Sequence, residues 1–239
     1  MSEIDPRVSE GIEALKNLLK VSDKKQSGEE TVNHLVEEIG SIRSIYESTR
    51  EDLQNLHGLS RVSGEVIDLV DDLARCTLRD ELGPKPVIQH YDKASKYFCA
   101  VMFGRQIEYC YLLLLDRRGK LIKCPLMQTG TIDRSAVYAR EVALKALRGK
   151  AAYCVLSHNH PGGHMEPSRE DIQMTYSVKD ALNAAGIILL DHIIVSDHKA
   201  ISVRSLGFPP EKVWQNQRKN DRIIEKWFES SEVQTSGGK

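Results

Sequence analysis

The sequence predicts an α/β (α+β) chain, an all-helical region followed by a mixed sheet flanked by helices. Apolar residues recur at helical spacing as far as Gly83-Pro84-Lys85-Pro86. Beyond that stop, short apolar or β-branched runs alternate with helical segments. The charge divides near the same place. Residues 1–80 hold 17 acidic and 10 basic side chains, a net of −7, and the other 159 hold 17 and 23, a net of +6; together they give the −1 of the whole chain. The expected organisation is a helical domain over 1–83, a second domain over 87–205 and a polar tail over 209–239.

In the first region Ile12, Leu15, Leu18 and Leu19 share one helical face, as do Val32, Leu35, Val36 and Ile39. Ser41 can cap a short helix carrying Ile42 and Ile45. Leu53 and Leu56 lead into a turn at His57-Gly58-Leu59-Ser60. Ser63 can cap the next helix, whose inner face is expected to hold Val66, Ile67, Val70, Leu73 and Ala74. The Gly/Pro cluster at 83–86 reads as a linker.

In the second region residues 91–103 are helical in pattern. Residues 107–115 contain a near-continuous apolar run that suits a buried strand. A turn at 116–119 precedes one strand over 121–128. Helical spacing returns over 135–147, a short strand follows over 151–156, and 158–167 is a Gly- and Pro-rich loop. Residues 168–185 are helical, ended by Gly186. Residues 187–195 form an apolar strand, and 200–203 can pair back onto it. The tail carries one amphipathic patch at Ile223, Ile224, Trp227 and Phe228, and its last residues have a disordered composition.

The composition excludes several classes. No apolar stretch approaches the ~20 residues of a membrane span. The N-terminus lacks a basic segment followed by an apolar one, so a cytoplasmic protein is expected. The five cysteines are odd in number and widely spaced, which fits reduced thiols rather than a disulfide framework.

The chemistry concentrates in residues 156–171. His158 and His160 lie at a strand end with one residue between them, so their side chains point the same way. Asp171 falls in the first turn of the following helix and can swing back toward the loop. Two imidazoles and one carboxylate make three ligands and leave a fourth position for water, the open layout of a catalytic zinc site. Zinc lowers the pKa of a bound water to about 7. Ser168 and Asp171 also have a plainer reading as a helix N-cap and a carboxylate near the helix dipole.

With those residues in place the chain resembles the JAMM/MPN+ metalloproteases, whose motif is an upstream Glu, then HxH, seven residues and SxxD. The match is His158-Asn159-His160, residues 161–167, Ser168 and Asp171. More narrowly the chain resembles the RadC family in three phrases, HNHPGG at 158–163, PSREDI at 167–172 and LDHIIV at 190–195. The N-terminal helices resemble the helix-hairpin-helix-like part of RadC proteins. The resemblance implies a JAB/MPN-type domain in which His158, His160 and Asp171 bind one Zn2+ ion. It implies that Ser168 helps stabilise the tetrahedral intermediate and that an upstream Glu acts as general base. Glu108, at the start of the first core strand, is favoured for that part, with Glu141 on a helix as its rival. His164 reads as an exposed loop residue, His192 as a hydrogen-bonded partner rather than a ligand, and Cys154 as core.

The expected activity is zinc-dependent cleavage of a peptide or isopeptide bond in a protein or peptide substrate. The alternative is a DNA-associated repair or recombination factor of the RadC type. A net of −7 on residues 1–80 repels a polyanion, so those helices read as a packing or protein-docking module. A metal-free scaffold is the third possibility, and the intact ligand set opposes it.

Overall fold

A computed structural model of the chain describes residues 6–22, 28–39, 45, 48, 50–55, 59–130, 136–161, 163–196, 199–208 and 221–232. The chain forms two compact units, Met1–Arg75 and Cys76–Lys239.

The first unit is helical. It holds α1 (Pro6–Ser22), α2 (Gly28–Ile39), α3 (Arg50–Asn55) and most of α4 (Arg61–Asp80). Its core joins Leu15 and Leu19 of α1, Val32 and Leu35 of α2, Ile45, Leu53, Leu59 and Ile67. These are the i, i+3 and i+4 positions the pattern marks. Two details differ from expectation. The cap of α4 is Ser60, whose Oγ accepts from the Ser63 backbone N–H at 3.1 Å, while Ser63 lies inside the helix. Leu73 is 68% exposed, and the buried face of α4 joins the expected Ile67 to Ser63, Gly64, Asp71 and Arg75. The capping serine at 41 and most of the turn around 56–60 lie outside the described residues.

The second unit is a six-stranded mixed sheet covered on both faces by helices. Its elements are α5 (Tyr91–Met102), β1 (Tyr109–Leu115), β2 (Leu121–Lys123), β3 (Leu126–Thr129), α6 (Ala136–Arg148), β4 (Tyr153–Asn159), α7 (Arg169–Ala184), β5 (Ile188–Ser196), β6 (Lys199–Ser202) and α8 (Arg222–Glu232). The order is β2-β1-β4-β5-β6, with β3 also on β1. β4 and β5 run parallel through α7, and the other pairings are antiparallel. The expected single strand over 121–128 is two strands, broken at Cys124-Pro125, where proline can donate no ladder hydrogen bond.

Side-chain alternation divides the core. Tyr111, Leu113, Leu115, Tyr153 and Val155 face α5 and α8. Cys110, Leu112, Leu114, Cys154 and Leu156 face α6 and α7. The amphipathic patch in the tail is the helix α8, and Ile223, Ile224 and Trp227 are buried in the first of these clusters. Trp227 Nε1 donates to the buried Asp191 of β5 at 3.1 Å. The Gly/Pro segment at 83–86 lies within the second unit rather than between the two. The Pro86 carbonyl accepts from Leu121, and Ile88 N–H donates to Gly119 O, so the segment is tied to the β1–β2 turn.

Candidate metal centre

β4 delivers its last residues at its C-terminal edge, where the chain leaves the sheet for α7. In an open parallel βαβ unit this is where ligands bind. His158 shares the parity of Cys154 and Leu156 and therefore faces α7. His160 follows two residues later on the same side. From the facing direction the N-terminus of α7 presents Asp171. Ser168 is its N-cap, and the capping box is complete: Ser168 Oγ accepts from Asp171 N–H at 3.1 Å, and Asp171 Oδ2 accepts from Ser168 N–H at 2.8 Å. The Ser168 hydroxyl also donates to Asp171 Oδ2 at 2.6 Å. The plain helix-cap reading is met, and the cap also fixes the carboxylate rotamer that faces the histidines.

The three side chains converge. His158 Nε2 and His160 Nε2 lie 2.8 Å apart. Asp171 Oδ1 is 3.3 Å from His158 Nε2, and Oδ2 is 3.6 Å from His160 Nε2. A tetrahedral zinc with Zn–N of ~2.05 Å separates its ligand atoms by about 3.3 Å. The observed edges bracket that value. Among the described residues these are the three that group as possible metal ligands.

The protons on the imidazoles follow from their partners. His160 Nδ1 lies 2.9 Å from the His164 carbonyl oxygen, which can only accept, so Nδ1 carries hydrogen and the neutral ring keeps its lone pair on Nε2. For His158 the argument runs through two further groups. The Thr175 hydroxyl donates to the Asp171 carbonyl at 2.7 Å. Its oxygen therefore accepts from His192 Nδ1 at 2.6 Å. His192 is fully buried, and desolvation pushes it down to about 4, so the ring is neutral and Nε2 is an acceptor. It accepts from His158 Nδ1 at 2.8 Å, which leaves the His158 lone pair on Nε2. With both rings neutral the two Nε2 lone pairs, 2.8 Å apart, aim at one point, where a shared proton or a metal ion relieves their repulsion.

The carboxylate agrees. Burial raises Asp171, but the His160 and His158 imidazoles, wherever one carries a proton on Nε2, and the Ser168 hydroxyl and backbone N–H outweigh it and hold the carboxyl well below its usual range; a metal ion held by the neutral rings would take the place of that proton. The bond to Asp171 conversely raises His160 against the opposing effect of burial. Two imidazole nitrogens and an ionised carboxylate form a donor set that fits Zn2+.

His192 reaches His158 because of a bulge. The β4–β5 register shifts between Cys154 and Val155, which pair with Leu189 and Asp191. Leu190 packs in the cluster toward α5 and α8, and the adjacent Asp191 bonds Trp227 on that same side. His192 is thereby turned to the α7 face, whereas plain alternation from Leu190 would have aimed it away from the ligands.

Glu108 immediately precedes β1. The β1–β4 register ends with Cys110 paired to His158, so Glu108 stands two residues before that paired end. Its charge acts on His160 and on Cys110. Glu141 is exposed on α6 and acts on Tyr138 of its own helix. Cys110, under His158, contacts the Tyr138 hydroxyl at 2.9 Å, and burial pushes its thiol up to about 12, so it stays a neutral wall. His164 is exposed and contributes its carbonyl. Cys154 is core. Gly130 donates its N–H to the Glu108 carbonyl at 2.8 Å.

The family model described as the RadC-like JAB domain matches residues 88–208. A UPF0758 protein of Bordetella parapertussis is 35% identical over 173 residues, covering 72% of this chain and 77% of its own. One of Vibrio atlanticus is 32% identical over 192 residues, 80% of this chain and 81% of its own. One of Vibrio campbellii is 28% identical over 203 residues, 85% and 91%. With a domain match across half the chain and relatives along most of it, the protein belongs to the RadC-like JAB domain family.

Proposed function

We propose that the protein is a zinc-dependent hydrolase that cleaves a peptide or isopeptide bond. The observation that carries this reading is the convergence of two imidazole Nε2 atoms and an ionised carboxylate on one point, with Glu108 near enough for its charge to act on His160. His158, His160 and Asp171 would hold the ion. Zinc bound there supplies a Lewis acid, which lowers the pKa of water to about 7 and polarises a carbonyl.

The chain's own groups do the rest. Glu108 accepts a proton from the attacking water and passes it to the leaving amine nitrogen, a part that asks for a carboxylate beside the ligands. Ser168 orients Asp171, and its hydroxyl can turn from Oδ2 to donate to the substrate carbonyl oxygen as negative charge develops. The buried His192–Thr175 pair keeps His158 in the tautomer that presents Nε2.

The test is metal quantification alongside a screen of fluorescence-quenched peptides and an ε-linked isopeptide. One zinc per chain and hydrolysis that disappears with chelation are expected. The competing reading, a DNA-associated factor, draws on the net of +6 over residues 81–239. Salt titration of duplex binding by the full chain decides it, since a slope of several phosphates would favour that reading over a peptidase.

A further inference from the structure

Asn159 stands between the two histidine ligands and is 4% exposed. Its neighbours point to the candidate metal centre, and its own side chain turns to the segment that enters β1. Asn159 Oδ1 accepts the Tyr109 backbone N–H at 2.8 Å. Its Nδ2 donates to the Ile107 carbonyl at 3.0 Å and, more weakly, to the Arg105 carbonyl at 3.4 Å. These are the backbone groups on either side of Glu108.

The ladder between β1 and β4 ends at Cys110 and His158. One residue further on, the Asn159 carboxamide takes the place of a peptide group, offering one acceptor and one donor in the sense a neighbouring strand would. From the opposite edge, Gly130 N–H holds the Glu108 carbonyl at 2.8 Å. The Glu108 backbone is therefore fixed from both sides, outside regular strand pairing.

We infer that Asn159 is a positioning residue that sets Glu108 against the two histidines, an assignment that rests on the hydrolase reading above for its catalytic meaning. The chemistry of the side chain is specific. Serine or alanine cannot span both contacts. Aspartate has the same shape and keeps the acceptor for Tyr109, but it sets a second acceptor against the Ile107 carbonyl. Asparagine at this position links the placement of the base to the placement of the ligands, since all three ride on one strand end.

The test uses the zinc-loaded full chain as wild type, Asn159→Asp, Asn159→Ala, Glu108→Gln and the double variant Asn159→Ala/Glu108→Gln. Crystal structures and turnover of the fluorescence-quenched peptide are read together. In Asn159→Asp and Asn159→Ala the zinc content stays at the wild-type value and the Glu108 carboxylate moves by about 1 Å or more relative to His158 and His160. A misplacement of that size lowers kcat on the order of 10²-fold with KM little changed. The double variant is no slower than Glu108→Gln, because Asn159 acts through that carboxylate.

An unmoved Glu108 in both Asn159 variants would overturn the inference. So would a double variant slowed by the full Asn159 factor beyond Glu108→Gln, or loss of zinc in both Asn159 variants, which would assign the residue to the ligands. If the wild type hydrolyses nothing while Glu108 moves in the Asn159 variants, the clamp stands and the hydrolase reading falls.

Discussion

Thr175→Val probes the least visible part of the site. Valine has nearly the shape of threonine, so packing in the fully buried position is retained. The hydroxyl that bridges His192 Nδ1 at 2.6 Å and the Asp171 carbonyl at 2.7 Å is lost. Two consequences follow. His192 Nδ1–H is left buried without its acceptor, at a cost of about 1–3 kcal/mol in stability. His192 can then shed that burden by adopting the other tautomer, which places hydrogen on Nε2 against His158 Nδ1. His158 must in turn move its own hydrogen to Nε2, the atom that faces His160 and Asp171. Loss of such an outer partner weakens zinc binding on the order of 10–100-fold, or roughly 1.4–2.7 kcal/mol. The assay is zinc affinity by competition with a chromogenic chelator, paired with thermal unfolding of the metal-free protein. A variant that folds and binds zinc as tightly as wild type would refute the tautomer argument.

Three further outcomes are expected. Glu108→Gln should retain one zinc and lose about 10²–10⁴-fold in turnover, measured by metal content and initial rates, whereas Glu141→Gln should leave both unchanged. Ser168→Ala removes the N-cap of α7 and one donor to Asp171; it should lower stability by about 1 kcal/mol and also weaken zinc, which chemical denaturation and chelator competition separate. In the metal-free protein His192 is pushed down from its ordinary 6.5 to about 4. The unfolded chain then holds more protons between those values, so this residue's contribution to stability is complete above pH 6.5 and is lost as the pH falls toward 4. The most it can contribute to that slope is about 3 kcal/mol. Denaturation midpoints of wild type and His192→Gln across that window measure it, and parallel curves would remove His192 as the cause.

The grouping of His158, His160 and Asp171 was legible in the sequence because its geometry is local. One residue of separation on a strand fixes two histidines to one face, and Ser168-x-x-Asp171 fixes a carboxylate at a helix start. The structure brings those residues together as the spacing implies. Glu108 needs one more step, the β1–β4 register, which no short-range pattern contains. His192 was legible as a hydrogen-bonded histidine but its partner was not, since the bulge after Leu190 reverses its face. Asn159 gave no signal in sequence, because its three backbone acceptors and donors lie about 50 residues upstream.

Elsewhere the misses have the same character. Ile223, Ile224 and Trp227 show helical spacing, yet only the buried Asp191 and the apolar face over β5 explain why that helix packs into the core. Leu73 fits the helical pattern of α4 but lies on its exposed side, where Asp71 and Arg75 occupy the buried one. Ser63 has the chemistry of a cap, but the helix starts earlier, and Ser60 accepts the Ser63 backbone N–H instead.

The most direct measurement is zinc stoichiometry of the purified full chain by elemental analysis, for wild type, His158→Ala and Asp171→Ala, with peptide hydrolysis followed in the same samples. The account predicts one zinc per wild-type chain, loss of the ion in both variants, and hydrolysis that vanishes with it and returns when zinc is restored to wild type. Hydrolysis that persists in metal-free wild type, or a full zinc content in the two variants, would contradict it.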